Sequence, residues 1–138
     1  MRAVLDPNVI VSALLSPRGT PARLLVAWSD GEFELLVSPA LLMELERVIA
    51  YPKLRRRIAS EDEAQVLLWL REEATLVHDP DRRPSITPED PGDDYLVALA
   101  EGERAALVSG DRHLLALADR LPIFAPRAFL ELLEERRP

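Results

Sequence analysis

The 138-residue chain contains no cysteine. That excludes disulfides and thiolate metal sites. No apolar run is long enough to cross a bilayer. The first residues read as a strand rather than as a charged segment, apolar core and cleavage site. No signal peptide is therefore expected, and the cytosol is the expected compartment, without membrane. Neither a glycine-rich phosphate loop nor a serine–histidine nucleophile signature is present, and no internal repeat is seen. Of 17 basic residues only Lys53 is a lysine. What remains is 48% hydrophobic, too apolar for disorder and of a length that suits a single domain, residues 1–138.

The net charge of −7 at first argues against a nucleic-acid partner. Its distribution matters more than its sum, because several carboxylates committed to a cation would make most of the excess local. Against it stands Lys53-Leu54-Arg55-Arg56-Arg57, the densest basic run. Lys53, Arg55, Arg56 and Arg57 form either a solvated helix face or a phosphate-contacting arm for RNA.

Strands are expected at 2–6, 33–37, 75–78, 105–109 and 123–124. Helices are expected at 8–15, 21–29, 39–50, 53–58, 61–74, 93–102, 112–119 and 127–136. Thr20-Pro21 and Ser38-Pro39 have the form of a cap followed by a first-turn proline. Ser60 with Glu63 matches a capping box. Residues 79–92 carry four prolines and many charges and read as a loop. Strands alternating with helices predict an α/β fold, a parallel sheet covered on both faces.

Two apolar runs end in acid. Ala3-Val4-Leu5 leads into Asp6, and Ala106-Leu107-Val108 leads into Ser109-Gly110-Asp111. Ligand sites of open α/β sheets lie at that carboxyl edge. Asn8 and Ser12 share a helix face beside Asp6. Glu44 lies at the edge of the inward stripe Leu41, Leu45, Val48, while Glu46 and Arg47 are expected to point elsewhere. A carboxylate against a core is costly unless it is paired or bound to metal. Asp93 aligns with Leu96, Val97 and Ala100, and Asp94 with the wetter Ala98 and Glu101. This ranks Asp93 as the inner ligand and Asp94 as a weaker or supporting one, with Asp90 as loop charge. Each acid also has a plain reading: helix cap for Asp6, Asp93, Asp94 and Asp111, ion pair with a neighbouring arginine for Glu44. His113 is expected on the surface.

Together the acids say more. Two carboxylates about 4 Å apart repel by roughly 4 kcal/mol at an effective dielectric near 20. A pocket of four holds protons or binds a cation, and oxygen-only ligation selects Mg²⁺ or Mn²⁺. Such a centre activates water and clamps a phosphodiester.

Leu5-Asp6-Pro7-Asn8-Val9, Glu44 after Ser38-Pro39, Asp93 in Asp-Asp-Tyr-Leu-Val-Ala-Leu-Ala, and Ser109-Gly110-Asp111 together resemble a PIN domain. More narrowly they resemble the VapC-like toxins of toxin–antitoxin systems. The resemblance runs from residue 2 to about 130 and rests on the four motifs in order. It implies a three-layer α/β/α sandwich, Mg²⁺- or Mn²⁺-dependent endoribonuclease activity, homodimers and an inhibiting antitoxin protein. By matching positions it implies Asp6, Glu44, Asp93 and Asp111 as acidic ligands, with Asn8, Ser12 and Ser109 supporting them. One position departs. Pro7 stands where the family has threonine or serine, and proline offers neither hydroxyl nor N–H.

Other acid-pocket proteins fit less well. A haloacid-dehalogenase-type phosphatase needs a second aspartate where Asn8 stands, and a phospho-receiver needs a lysine near the site. A non-catalytic PIN-like module that binds RNA or protein remains the alternative, motivated by Pro7.

Overall fold

Five short apolar strands join one parallel sheet in the computed structural model, which describes residues 1–138. They are β1 (Arg2–Leu5), β2 (Glu34–Val37), β3 (Thr75–Leu76), β4 (Ala106–Val108) and β5 (Ile123–Phe124), in the order β3-β2-β1-β4-β5. In β1, Ala3 lies opposite Leu35 on one side and Ala106 on the other. Ala3, Val4 and Leu5 are wholly buried, as expected of a central parallel strand covered on both faces.

The helices are α1 (Pro7–Leu15), α2 (Thr20–Ser29), α3 (Pro39–Ile49), α4 (Pro52–Arg55), α5 (Ser60–Glu73), α6 (Asp94–Glu103), α7 (Arg112–Leu115) and α8 (Pro126–Glu135). From β1 the chain moves outward through β2 to β3, then returns past both to place β4 on the far side of β1. Right-handed crossovers therefore set α1, α2, α3 and α5 on one face and α6 on the other. The packing agrees: α1 lies against α2 and α3, and α6 rests on β1 and β4. Trp28 of α2 stacks on Trp69 of α5 with ring centroids 4.4 Å apart. Phe129 of α8, wholly buried, meets Phe33 edge-on and touches Phe124. Burying each such large apolar side chain contributes about 1.5–3 kcal/mol. No helix is long and apolar enough to cross a membrane.

Reversal of winding direction makes a switch point between β1 and β4. The chain closes it tightly: the Asp6 amide donates to the Val108 carbonyl at 2.9 Å. The ends of the two strands are thereby held side by side.

Some local expectations are corrected. Thr20 lies inside α2; the cap position is Gly19, whose extended backbone makes the entry, and the Thr20 hydroxyl instead accepts from Arg127. Ser60 likewise begins α5 behind the cap position Ala59, so no capping box forms, and Glu63 pairs with Arg55 instead. The helix expected at 112–119 stops at Leu115 and continues as turns. The basic helix ends at Arg55. Asp90 is more than loop charge, since its Oδ1 accepts from the Gly92 amide and caps the 3₁₀ turn Pro91–Asp93.

Candidate active site

Asp6 leaves β1 at the switch point, buried to 4% exposure. Its Oδ1 accepts from the Asn8 amide at 3.0 Å, and its Oδ2 accepts from the Ser109 hydroxyl at 2.8 Å. Pro7 occupies the first turn of α1, where an N–H would have no helical partner in any case. Proline at this position therefore costs the backbone no hydrogen bond. Burial raises the Asp6 carboxyl above its usual range, the bonds from Asn8 and Ser109 work against that, and nearby Asp111 and Glu44 add to the rise.

Ser109 is wholly buried at the end of β4. Besides donating to Asp6, its hydroxyl accepts from the Asp111 amide at 3.0 Å. That bond closes the Ser-Gly turn that carries Asp111. Asp111 Oδ1 accepts from the His113 amide at 2.8 Å and caps α7. Asn8 and Ser12 are exposed; with Asp6, Gly110 and Asp111 they line an open depression of about 420 Å³.

Asp93 stands at the head of α6 in helical backbone geometry, and its side chain makes no cap bond. Its Oδ2 is buried without a partner. Burial first, then Asp6, Asp90, Asp111 and Glu44, push its carboxyl up to about 6. Asp94 Oδ1 is also buried and unpartnered. Glu44 is half-buried on α3 and holds a bidentate pair with Arg47, at 2.5 Å and 2.9 Å. Arg47 therefore does not point elsewhere, as the helical stripe suggested. It turns back one helical turn onto Glu44 and also bonds the Tyr51 hydroxyl.

The family model of the PIN domain matches residues 2–113. The chain belongs to the PIN-domain family. An uncharacterized protein of Methanocaldococcus jannaschii is 25% identical over 98% of this chain and 93% of its own length. Among solved structures, PAE2754 from Pyrobaculum aerophilum superposes with a TM-score of 0.62 at 15% identity, covering 99% of this chain and 91% of its own. VapBC2 from Rickettsia felis, bound to a DNA fragment from its promoter, gives 0.60 at 14% identity over 90% and 97%. FitAcB from Neisseria gonorrhoeae gives 0.50 at 18% identity over 91% and 98%. These likenesses are likenesses of fold.

In this PIN domain no three acidic or histidine side chains stand in a ligating arrangement as they are posed. Glu44 is turned to Arg47 and one Asp111 oxygen to its helix. The donor set nevertheless fits a hard divalent cation in kind. It is made of oxygen alone, it leaves Asp93 Oδ2 buried without a bond, and it crowds like charges around Asp93.

The basic run lies apart from the acids. Lys53, Arg55, Arg56 and Arg57 follow α3 at the end far from Ser38, all exposed. Arg55 pairs with Glu63. His113 is exposed and pairs with Glu89 at 2.6 Å. Two residues of the PIN cleft escape the sequence reading. Asp79, in the loop, caps α3 through its Oδ2, which accepts from the Ala40 amide at 2.9 Å. Tyr95 buries its hydroxyl near Glu44, Asp6, Asp93 and Asp79, and burial followed by those charges raises its phenol well above the usual value. Periodicity gave no sign of Tyr95, which is turned by about 200° around the helix from Asp93.

Proposed function

We propose that this PIN domain is a Mg²⁺- or Mn²⁺-dependent endoribonuclease, and that it works in the cytosol as the toxin of a VapC-like toxin–antitoxin pair. The carrying observation is the Asp93 carboxyl, pushed to about 6 among Asp6, Asp111 and Glu44, with an unbonded buried oxygen. Carboxylates gathered at a sheet switch point repel one another, and a cation relieves that repulsion. Asp6, Glu44, Asp93 and Asp111 would hold it, with Asn8, Ser12, Asp94 and Ser109 in support. When bound, the ion supplies positive charge to an attacking water and to the phosphodiester it hydrolyses.

The chain's own residues prepare that chemistry. Ser109 fixes the Asp6 carboxylate through Oδ2 and, by accepting the Asp111 amide, sets the turn that carries Asp111. A carboxyl near 6 has released its proton at neutral pH, so Asp93 is ionised where the enzyme works. Bringing Glu44 to the ion requires release from Arg47. The basic run 53–57 would contact RNA away from the cleft, adding affinity rather than chemistry. An antitoxin partner accords with the fold shared with VapBC2 and FitAcB. Exposed Met43 of α3 and Leu68 of α5 offer apolar surface for a homodimer.

The test is cleavage of a mixed structured and unstructured RNA pool by purified protein in Mn²⁺, Mg²⁺ or EDTA, beside Asp93→Asn. Cutting only by wild type and only with metal is expected. Cutting that persists in EDTA or in Asp93→Asn would overturn the assignment.

One observation favours a second reading. Both Glu44 oxygens are held by Arg47. A PIN domain that binds RNA without cutting it would keep such a pair closed. Metal-independent RNA binding with no cleavage in any condition is the outcome that favours it.

A further inference from the structure

The open depression that holds Asp6 and Asp111 has a part of its wall that the acids do not supply. Pro21 of α2 and Pro126 of α8 complete the lining alongside Asn8 and Ser12. Each proline sits in the first turn of its helix, where the missing N–H costs no helical bond. The two helices lie side by side with their starts together. Arg127 donates to the Thr20 hydroxyl at 2.9 Å, Arg23 pairs with Glu134 at 3.5 Å, and Arg137 pairs with Glu32 at 2.5 Å. These links advance in the same order along both segments. They join Thr20 and Arg127 beside the depression, each next to one of its lining prolines.

Arg127 differs from the other two arginines in what it meets. Arg23 and Arg137 are paired with carboxylates, whereas the partner of Arg127 is a neutral hydroxyl. Its charge is therefore not spent inside the fold, and its side chain is exposed. One exposed hydrogen bond adds little stability, but it holds a long, flexible side chain in one place. The polar lining of the depression is acidic or uncharged: Asp6, Asp111, Asn8 and Ser12. A cation among the acids would meet the phosphate that is cut. The neighbouring phosphates of the same strand would still pass carboxylates of like charge. A guanidinium fixed at the rim offsets that repulsion, and its planar fork of N–H groups matches the oxygens of a phosphate.

We propose that Arg127, held by Thr20 at the rim of the depression, binds an RNA phosphate next to the one that is cut and so positions the strand over the acids. The assignment rests on the ribonuclease reading above. Arg127 acts on the anion and leaves cation binding alone. It also puts a phosphate contact at the cleft itself, whereas the basic run 53–57 lies apart from it.

Anisotropy binding of a fluorescent random-sequence RNA oligonucleotide across salt concentration tests it, in Asp93→Asn protein so that the strand stays whole. Arg127→Ala is compared there with Arg136→Ala, which removes the same charge from an exposed position just past the other end of α8. Arg127→Ala is expected to bind RNA about tenfold more weakly at low salt, the loss typical of a hydrogen bond to a charged group. It should also reduce the slope of log affinity against log salt by about 0.7, one contact on a single strand. Arg136→Ala is expected to keep both. With Asp93 restored, Arg127→Ala should keep the wild-type melting temperature and the full Mn²⁺ shift. Unchanged affinity and slope in Arg127→Ala overturn the contact. An equal loss in Arg136→Ala overturns it too, because net charge alone would then account for the effect. So does a fall of several degrees in the melting temperature of Arg127→Ala, which would make Arg127 a brace between α2 and α8. Cleavage of the same RNA by wild type in Mn²⁺ separates the two readings. Metal-dependent cutting together with wild-type binding by Arg127→Ala removes this contact alone, whereas no cutting removes the ribonuclease reading and the contact with it.

Discussion

The buried Ser109 hydroxyl donates to Asp6 Oδ2 at 2.8 Å, joining the ends of β4 and β1 across 103 residues of sequence. Ser109→Ala leaves a buried carboxylate oxygen without its donor. Such a loss costs about 1–3 kcal/mol, and chemical denaturation should show it as a lower midpoint with an unchanged slope. An unaltered midpoint would mean that Asp6 finds another donor.

The Asp93 carboxyl sits near 6 in the folded protein against about 3.9 in an unfolded chain. The folded state therefore binds the proton more tightly. Its stabilising effect is complete below about pH 4 and is lost as pH rises through about 6. Asp6 is raised in the same direction and adds to the slope. Metal-free protein should melt at a higher temperature near pH 5 than near pH 8, once the acid-labile ion pairs elsewhere are accounted for by comparison with Asp93→Asn. That variant should exceed wild type at pH 8 and lose its advantage toward pH 4. A constant difference between the two across this range would refute the assignment.

A cation bound among these acids would reverse that penalty. Mn²⁺ at about 100 times its dissociation constant should stabilise the fold by about 2.7 kcal/mol. Asp6→Asn and Asp93→Asn should each shrink the shift, and the wild-type shift should fade below pH 6 as protons compete for Asp93. Differential scanning fluorimetry across Mn²⁺ concentration and pH reads both effects.

If Glu44 is a metal ligand, Arg47 competes with the cation for it, because both carboxylate oxygens are engaged. Arg47→Ala should therefore tighten Mn²⁺ binding modestly, the pair being solvent-exposed and weak. Calorimetric titration of metal into the two proteins is the measurement. Weaker binding in the variant would mean instead that Arg47 orients Glu44 toward the ion.

Arg56 and Arg57 are exposed and unpaired beyond the end of α3. If they contact RNA, Arg56→Ala with Arg57→Ala reduces the slope of log affinity against log salt by about 1.4, two contacts on a single strand. Mn²⁺ affinity should be unchanged. An identical salt slope would assign these arginines to solvation alone.

Much of the architecture was legible because central parallel strands are simple to read. Ala3-Val4-Leu5 and Ala106-Leu107-Val108 are continuous apolar runs that end in acid, and both lie at the sheet centre. Helix starts were harder. Thr20 and Ser60 have cap chemistry, yet the extended backbone of Gly19 and Ala59 fixes the entry one residue earlier. Side-chain identity did not decide either start. Among the acids, the sequence could rank Asp93 above Asp94 by helix face, but the unbonded oxygens of both come from packing. Tyr95 and Arg47 were beyond reach for a related reason. Where a long side chain turns is set by its neighbours in space, and a periodic pattern records only where its Cα lies.

The bond between Asp6 and Ser109 also orders events in time. On a ribosome, β1 and its carboxylate emerge early, and the serine that fixes that carboxylate emerges only with β4. A nascent chain that has reached β3 carries Asp6 and Glu44 with no switch point to gather at, so the acidic cleft is among the last features of the molecule to come into being. A chain that stops short of β4 therefore holds the Asp6 carboxylate without the donor that fixes it, and the two strand ends meet only once Ser109 has been made.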